Sequence, residues 1–426
     1  MSGTRLDPPA VDESDGGVPG AVVPDGVAEH LRAYLRQLRN GEMGALPALG
    51  GLVVLCVAFS IMRPDFLSAG NFANLFTQGA AVTAIAMGLV FVLLLGEIDL
   101  SAGFTSGVCA ALMGTLLSEH GTPWWLAVPA ALAAGALIGA FLGVAVAKIG
   151  IPSFVITLAA FLALQGVVLI IIGSGGNVAI RDSTVTAIDN DNLSPAVGWA
   201  LLAVALAGYA AVRLATRRGR QAKGLPLEPL ALAGLRVAVF AALGAGAVYA
   251  LNLERSRNPA LVSLRGVPIV VPILAGLLVV WTYVLSSTAY GRHIYAVGGN
   301  AEAARRGGVK VSRVRISAFV VCSTMAAVGG VIAASRATSV DPNAGGSNTL
   351  LYAVGAAVIG GTSLFGGKGR VADAVLGGAV VAVIDNGMGL MGYSAGVKFV
   401  VTGSVLALAA GVDALSRKRS AGAGGG

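Results

Sequence analysis

Apolar runs of membrane-spanning length dominate this 426-residue chain. A helix needs about 20 mostly apolar residues to cross the hydrocarbon core of a bilayer, because each residue advances it by about 1.5 Å. Runs near that length recur from residue 45 to residue 412, with short polar segments between them. The chain is 56% hydrophobic and only 12% charged, which excludes a soluble globular domain. The sequence therefore predicts an all-α, polytopic integral membrane protein.

Twelve such runs form a predicted transmembrane domain over residues 45–415. Two of the later runs are short, so we expect that they could be broken or re-entrant. The runs are Ala45–Met62, Phe72–Leu95, Ala102–Leu117, Trp124–Ala147, Ser153–Ile172, Pro195–Val212, Pro229–Leu251, Val267–Ser286, Ile316–Ala334, Leu350–Leu364, Val371–Ile384 and Val397–Val412.

The distribution of basic residues predicts the orientation of these spans. With the N-terminus inside, the cytoplasmic segments hold 21 of the 29 Lys and Arg residues, and the outer loops hold six. Cytoplasmic loops of membrane proteins carry an excess of Lys and Arg, so we expect both termini to be cytoplasmic. Residues 1–40 are predicted to be a disordered cytoplasmic tail followed by a basic amphipathic helix on the membrane surface. Residues 416–426 are predicted to be a second disordered tail.

The polar segment of residues 291–315 has the pattern of a short, well-defined helix. Asn300 is a good N-cap, and residues 301–306 (AEAARR) are strong helix formers. Glu302 in the first turn and Arg305 in the last turn match the helix dipole, and Gly308 belongs to the glycine pair that ends the helix. A short capped helix on a membrane surface suits docking against another protein.

Two glycine-rich elements interrupt the spanning pattern, at residues 96–103 (GEIDLSAG) and 360–370 (GGTSLFGGKGR). Short, glycine-interrupted segments in both halves of a transporter often mark its translocation path. The second element fails as a phosphate-binding loop, because Thr362 and Gly369 occupy positions where that motif needs Gly and a hydroxyl residue. We find no other ATP-binding signal, no metal-ligand spacing among the three cysteines and three histidines, and no charged constellation near the midplane.

Several of these motifs resemble those of a known family. Residues 295–305 (YAVGGNAEAAR) are similar to the cytoplasmic coupling loop of ATP-binding-cassette sugar-importer permeases, in the ribose, xylose and simple-sugar branch. GEIDLSAG resembles the most recognisable signature of that branch, with Glu97 where a second glycine is usual. IPSFVITL at residues 151–158 also matches, although Arg is commoner where Gln165 stands. Asp385-Asn386-Gly387-Met388 resembles an Asn-Asn-Gly-Leu segment of the family, with Asp at the first place.

The resemblance covers about residues 72–172 and residue 286 to the end. The spans at about 195–251 add a pair to the usual ten, which is a feature of xylose-type permeases. The resemblance implies the membrane-spanning subunit of an ATP-driven importer for xylose or a related pentose, in a bacterial cell membrane. It would act as a homodimer in membrane lipid, with a separate cytosolic ATPase and an extracytoplasmic sugar-binding protein. It would carry out no covalent chemistry, need no cofactor and bind no nucleic acid.

The residues expected to act fall into two sets. Those expected to couple to the ATPase are Gly298, Gly299, Asn300, Glu302, Ala303, Ala304, Arg305 and Gly308. Those expected to line the translocation path are Gly96, Asp99, Ser101, Gly103, Thr157, Gln165, Gly361, Ser363 and Asn386. For any one of the polar residues, simple helix-to-helix hydrogen bonding is an equally good interpretation.

Two other functions fit part of the sequence. A secondary sugar carrier of the major-facilitator type would share the span number and the cytoplasmic termini. That class has a basic signature after its second span, however, where this chain has GEIDLSAG. An integral-membrane enzyme would need paired carboxylates or a histidine cluster at one depth, and the sequence offers neither.

Overall fold

The computed structural model of the chain describes residues 46–173, 176–225, 227, 229–256, 258–260 and 263–423. The predicted tail and interfacial helix of residues 1–40 lie outside these ranges. Within them the chain is a bundle of α-helices with a single two-stranded ribbon. The all-α class predicted from the sequence is confirmed.

The elements follow one another along the described chain in this order. They are α1 (Leu46–Met62), a 3₁₀ turn (Pro64–Leu67), α2 (Ala69–Leu94), α3 (Ala102–Ser118), α4 (Trp124–Val144), a π turn (Ala145–Ile149), α5 (Ser153–Ile172), β1 (Val178–Ala179), α6 (Ser183–Asn190), α7 (Pro195–Ala222), α8 (Leu230–Asn252), α9 (Val270–Ser287), α10 (Ala289–Gly299), α11 (Ala301–Arg306), α12 (Val311–Ala337), β2 (Ser339–Val340), α13 (Ser347–Ile359), α14 (Val371–Leu390) and α15 (Ala395–Ala423).

The apolar helices correspond to the twelve predicted spans. Eight helices of the described chain are long and apolar enough to cross a membrane, and four shorter ones are apolar: Leu46–Met62, Ala102–Ser118, Asn348–Ile359 and Ala395–Leu408. Several predicted ends differ, among them three C-terminal ends that lie further along the chain than expected. α7 continues through the basic cluster to Ala222, α14 extends to Leu390, and α15 remains helical to Ala423 where a disordered tail was expected.

Helix α12 lies at the centre of the bundle, where it packs against α2, α3 and α4. Small residues allow this close approach. Gly88 of α2 faces the backbone of Cys322, and Gly139 of α4 faces the backbone of Phe319, so that a Cβ at either glycine would overlap α12. Helices in a bilayer associate through such van der Waals packing of small residues, because lipid is as apolar as the side chains.

The extra pair, α7 and α8, lies at the edge of the bundle. The two helices pack mainly against each other, and α8 also contacts α2. Val204 of α7 and Leu243 of α8 are typical of their large exposed apolar side chains, which a bilayer would cover. The pair therefore adds two helices of spanning length without entering the buried centre.

The connecting segments gather at two ends of the bundle. At one end the segment after α2, the α10–α11 segment and the loop after α13 contact one another, and the π turn accepts a hydrogen bond from Ser312 at the start of α12. At the other end the β1–β2 ribbon joins the loop after α5 to the loop after α12. The small helix α6 lies beside that ribbon and packs against the end of α12.

Candidate coupling and translocation site

The predicted coupling helix is present and has the predicted bounds. The Asn300 side chain accepts a hydrogen bond from the backbone N–H of Ala303 (2.9 Å), which caps the first turn of α11. Glu302 pairs with Arg305 at 3.1 Å and with Arg306 at 3.5 Å along the exposed face. Gly308 has a φ of +85°, a left-handed conformation that glycine adopts without strain, and it ends the helix.

The two alanines of α11 face opposite ways. Ala304 is only 8% exposed and belongs to the core of the protein, whereas Ala303 is exposed. The chain itself therefore covers the side of α11 that carries Ala304, and the assignment of Ala304 to ATPase coupling stays a prediction. The surface left for a partner consists of Glu302, Ala303, Arg305 and Arg306, and we call it the α11 face.

The segment before α11 is fixed against both glycine-rich elements. A Cβ at Gly298 would overlap the carbonyl oxygen of Leu94 and crowd the backbone nitrogen of Gly367. The Gly367 N–H in turn donates to the Leu94 carbonyl (2.9 Å). The Tyr295 hydroxyl of α10 donates to the Gly369 carbonyl (2.8 Å). Three separate parts of the sequence thus meet backbone to backbone, and we call this contact the glycine junction. Gly299, by contrast, has open space around it.

The first glycine-rich element turns back from the glycine junction into the bundle. Gly96 begins the turn with a φ of +71°. The Ile98 N–H donates to the Ser153 hydroxyl (3.3 Å), and the Ile98 carbonyl accepts from the Thr157 hydroxyl (3.2 Å). α5 therefore anchors this segment, and the contact brings Thr157 together with the element.

Asp99 and Ser101 form a closed local pair. Both are fully buried, and the Asp99 Oδ1 accepts from the backbone N–H (2.9 Å) and the hydroxyl (2.6 Å) of Ser101. The other Asp99 oxygen has no hydrogen-bond partner among the described residues. Two residues on, Gly103 contacts the backbone of Gly345, which comes from the opposite end of the bundle.

The second glycine-rich element is a tight loop rather than the end of a span. α13 stops at Ile359, and Gly361 has a φ of +118°. The Ser363 N–H donates to the Lys368 carbonyl (2.9 Å), and its hydroxyl accepts from the N–H of Phe365 (3.2 Å). Ser363 is buried, and its described contacts close the loop.

Asn386 belongs to a polar cluster between α2, α14 and α15. Its amide donates to the side-chain oxygen of Gln78 (3.2 Å), and the Gln78 amide donates to Asp385. The ammonium of Lys398 lies 3.2 Å from the other Asp385 oxygen. Asn386 is buried, and its own oxygen has no partner in the described chain.

The Asp385–Lys398 ion pair of this cluster joins two of the apolar helices. The predicted span ended at Ile384, yet the helix continues to Leu390. Gly387 lies inside this helix and packs closely against the ring of Phe59 in α1, where a Cβ would overlap the ring. The extra turn brings Asp385 within reach of Lys398, and intramembrane ionisable residues of this kind are typically functional.

Gln165 belongs neither to the glycine-rich elements nor to the polar cluster around Asn386. It lies on α5, half-buried, on the same helix face as Phe161 and Val168. Phe161 stacks edge-on against Phe104 of α3 (ring centroids 4.7 Å apart), and Val168 lies beside Gly107 of α3. The face that carries Gln165 is therefore directed towards α3.

Sequence reasoning missed a third group of polar contacts, at the opposite end from the glycine junction. Arg336 of α12 donates to Thr77 (2.6 Å) and Asn74 (3.0 Å) of α2 and lies 3.8 Å from the carboxylate of Asp189 in α6. Burial raises the pKa of Asp189 to about 7, although the nearby Arg336 acts in the opposite direction. The signal available in the sequence was the capped, amphipathic segment 183–190, which Asp182 begins.

Comparison with known proteins agrees with this architecture. Residues 71–410 match the family model described as "Branched-chain amino acid transport system / permease component". The xylose transport system permease protein XylH of Haemophilus influenzae is 33% identical over 384 residues, covering 90% of this chain and 99% of that protein. XylH of Escherichia coli K12 is 37% identical over 83% of this chain and 87% of the relative. The ribose import permease RbsC of the same organism is 30% identical over 86% and 92%. No solved structure gives a significant match.

These relatives are transport permease subunits and not enzymes, and the match spans nearly the whole helical bundle. The resemblance found in the coupling and GEIDLSAG segments thus extends along the chain. The protein is therefore a multi-pass membrane protein that belongs to this family of permease components, in the branch that includes the xylose and ribose permeases.

Proposed function

We propose that this chain is the membrane-spanning subunit of an ATP-driven importer for D-xylose or a related pentose. The observation that carries the proposal is the similarity to two xylose permeases at 33% and 37% identity, against 28% and 30% for two ribose permeases. The relatives cover most of the chain, so the similarity is not confined to a generic core. The substrate of the relatives is the best available guide to the substrate of this chain.

In this proposal the α11 face receives a cytosolic ATPase. A helix of six residues is too short to be stable alone, so contacts with the rest of the assembly must hold it. The glycine junction and the buried Ala304 supply one side. A partner on the α11 face would supply the other, and any movement of that partner would be passed to the glycine junction. The result is alternating access driven by closure of an ATPase pair.

We propose that the sugar passes along residues of the predicted translocation set, with Asn386 as the strongest member. Asn386 offers an unpartnered buried oxygen and is surrounded by Gln78, Asp385 and Lys398. Amides and carboxylates of this kind exchange hydrogen bonds with sugar hydroxyls. Ser101 is engaged with one oxygen of Asp99, and the Ser363 hydroxyl is engaged within its own loop, so the contribution of these residues would be to shape the loops that border the path.

We further propose a homodimer with both termini cytoplasmic and with the glycine junction at the cytoplasmic end. The charge distribution supports this orientation. Cysteines placed at Ser183 in α6 and at Gly219 in α7 test it with an impermeant thiol reagent on intact cells. Ser183→Cys should react at once, and Gly219→Cys only after permeabilisation. Reversed reactivity would overturn the orientation, and native mass spectrometry of the complex counts the permease copies.

The decisive experiment is reconstitution into proteoliposomes with a cytosolic ABC ATPase and an extracytoplasmic sugar-binding protein of the same organism. ATP-dependent uptake of labelled D-xylose that needs all three components supports the proposal. Preference for ribose over xylose would change the assigned substrate, and the chain would still be the permease of an ATP-driven sugar importer. Uptake by this chain alone, driven by an ion gradient, would instead identify a secondary carrier.

A further inference from the structure

The loop between α12 and α13 enters the bundle instead of lying over its end. It starts at the β1–β2 ribbon, where the side chains of Val178 and Val340 lie beside Gly114, near the end of α3. Five residues later, Gly345 contacts the backbone of Gly103, at the opposite end of α3. Gly103 and Gly114 are separated by about 16 Å along the helix axis, at 1.5 Å per residue. Residues 341–346, which we call the re-entrant segment, therefore descend along most of α3.

Glycines at the points of contact leave room for this descent. A Cβ at Gly107 would overlap the carbonyl oxygen of Ala344, and one at Gly103 would crowd the carbonyl oxygen of Gly345. Gly345 itself has a φ of +73°, which favours glycine. The GEIDLSAG element reaches the same point from the other end of the bundle. Two non-helical segments, one from each end, thus meet at the start of α3.

The backbone of the re-entrant segment satisfies part of its own hydrogen bonding. Ala344 N–H donates to the Asp341 carbonyl (3.0 Å), and Gly346 N–H donates to the Asn343 carbonyl (2.9 Å). The Asn343 N–H donates to the Asp341 carboxylate (2.7 Å). This leaves the Asn343 side chain free to face outward from the turn.

The exposed side chains along this segment are polar. Asp341, Asn343 and, at the start of α13, Asn348 are all exposed. Irregular backbone and polar side chains at membrane depth are tolerated only where protein or a water-filled cavity surrounds them, because lipid cannot satisfy them. The surface formed by Asn343 and Asn348 therefore faces water or a ligand rather than hydrocarbon.

An aromatic pair lies next to this surface. The tip of the Phe104 ring lies within van der Waals reach of Gly346. Phe104 also stacks edge-on against the half-buried Phe161. Gln165 lies one turn beyond Phe161 on the same face of α5. Ligand sites combine apolar and aromatic walls with a few well-placed amide or hydroxyl groups, and this corner offers both.

We propose that the re-entrant segment lines an aqueous vestibule on the path of the sugar, with Asn343 and Asn348 as contacts for monosaccharide hydroxyls. The inference rests on the proposed sugar-import function, and it names a part of the path that neither glycine-rich motif contains. Asp341 holds the turn, and Phe161 offers an apolar surface for the face of the sugar ring. Entry of a sugar here would place it beside the point where the two non-helical segments meet.

Cysteine labelling in proteoliposomes containing the permease and its ATPase tests this arrangement. Asn343→Cys and Asn348→Cys should react with an impermeant maleimide, and saturating D-xylose should slow both reactions. Ile170→Cys is the matched control, since Ile170 of α5 is exposed but apolar and should face lipid, where thiols do not ionise. The wild-type protein gives the background from Cys56, Cys109 and Cys322.

Uptake measurements separate sugar contact from a structural role. Asn343→Ala and Asn348→Ala should each slow D-xylose uptake about tenfold, the effect of a lost hydrogen bond of ordinary strength, at normal abundance. They should also change the ratio of xylose to ribose uptake, which a packing defect would leave constant.

Two results would overturn the inference. The vestibule would be excluded if Asn343→Cys and Asn348→Cys reacted no faster than Ile170→Cys. Rapid reaction that D-xylose does not slow, together with unchanged uptake ratios, would exclude the sugar contact. If the wild-type complex does not take up xylose, the proposed function is contradicted. The labelling rates would still decide whether the re-entrant segment faces water.

Discussion

The guanidinium Nε of Arg315 lies 3.2 Å from the carboxylate of Glu97. Arg315 is in the second turn of α12, just after the coupling helix α11, and Glu97 directly precedes the buried segment that contains Asp99. Their ion pair therefore connects the expected ATPase-docking region with the re-entering GEIDLSAG element. Glu97 occupies the position where the motif usually has glycine, so this connection is a property of the individual sequence.

Glu97→Gln should weaken coupling more than stability. The pair is partly exposed (31% for Arg315 and 13% for Glu97), and such pairs contribute about 1 kcal/mol or less to folding. We expect normal abundance and a severalfold smaller stimulation of ATP hydrolysis by sugar-loaded binding protein. Arg315→Glu should be worse because two carboxylates would face each other. Exchange of the charges, with Glu97→Arg and Arg315→Glu together, should recover part of the stimulation. Full stimulation in Glu97→Gln would show that the pair is only a surface contact.

Ala303→Glu and Ala304→Glu should fail in different ways. Ala303 is exposed on the α11 face, so the added carboxylate should leave membrane abundance normal and prevent co-purification of the ATPase. Ala304 is buried, and an unpaired buried charge is strongly destabilising, so that variant should show reduced abundance. Quantitative blots and co-purification from the same membranes provide both readings. An Ala303→Glu protein that retains its ATPase and normal uptake would refute docking at this face.

Gly298→Ala should destabilise the protein, whereas Gly299→Ala should not. A methyl group at Gly298 has no room beside the Leu94 carbonyl, and overpacking of this kind costs about 1–3 kcal/mol. Nothing lies within 4 Å of the corresponding position at Gly299. Thermal unfolding of the purified variants in detergent measures the difference. Equal melting temperatures would mean that the glycine junction is looser than the contacts indicate.

Asp189 should make stability fall as pH rises towards neutrality. An unfolded aspartate titrates near about 3.9, whereas burial raises the native pKa of Asp189 to about 7. Between these values the native protein holds a proton that the unfolded chain has released, so raising the pH favours unfolding, by at most about 1.4 kcal/mol per pH unit. Asp189→Asn should remove this component. Melting temperatures recorded from pH 5 to pH 8 for both proteins provide the test, and parallel curves would contradict it.

Much of the architecture could be predicted because it depends on local rules. Spanning length and composition are properties of contiguous residues, so they identified the membrane class and the number of apolar runs. The bounds of α11 followed from the Asn300 cap and the closing glycines, which act within one helical turn. Motifs such as GEIDLSAG could be recognised for the same reason.

Other features depend on partners far away in the chain, and only the tertiary structure decided them. Which of two adjacent alanines is buried depends on how α11 lies against the bundle. The close packing of Gly387 against the ring of Phe59 joins residues more than three hundred positions apart. Gly345 meets Gly103 because two backbone segments far apart in the sequence pack against each other, and no local pattern in either segment predicts that contact. Local propensity thus determined the elements of this protein, whereas contacts distant in sequence determined which of their residues meet.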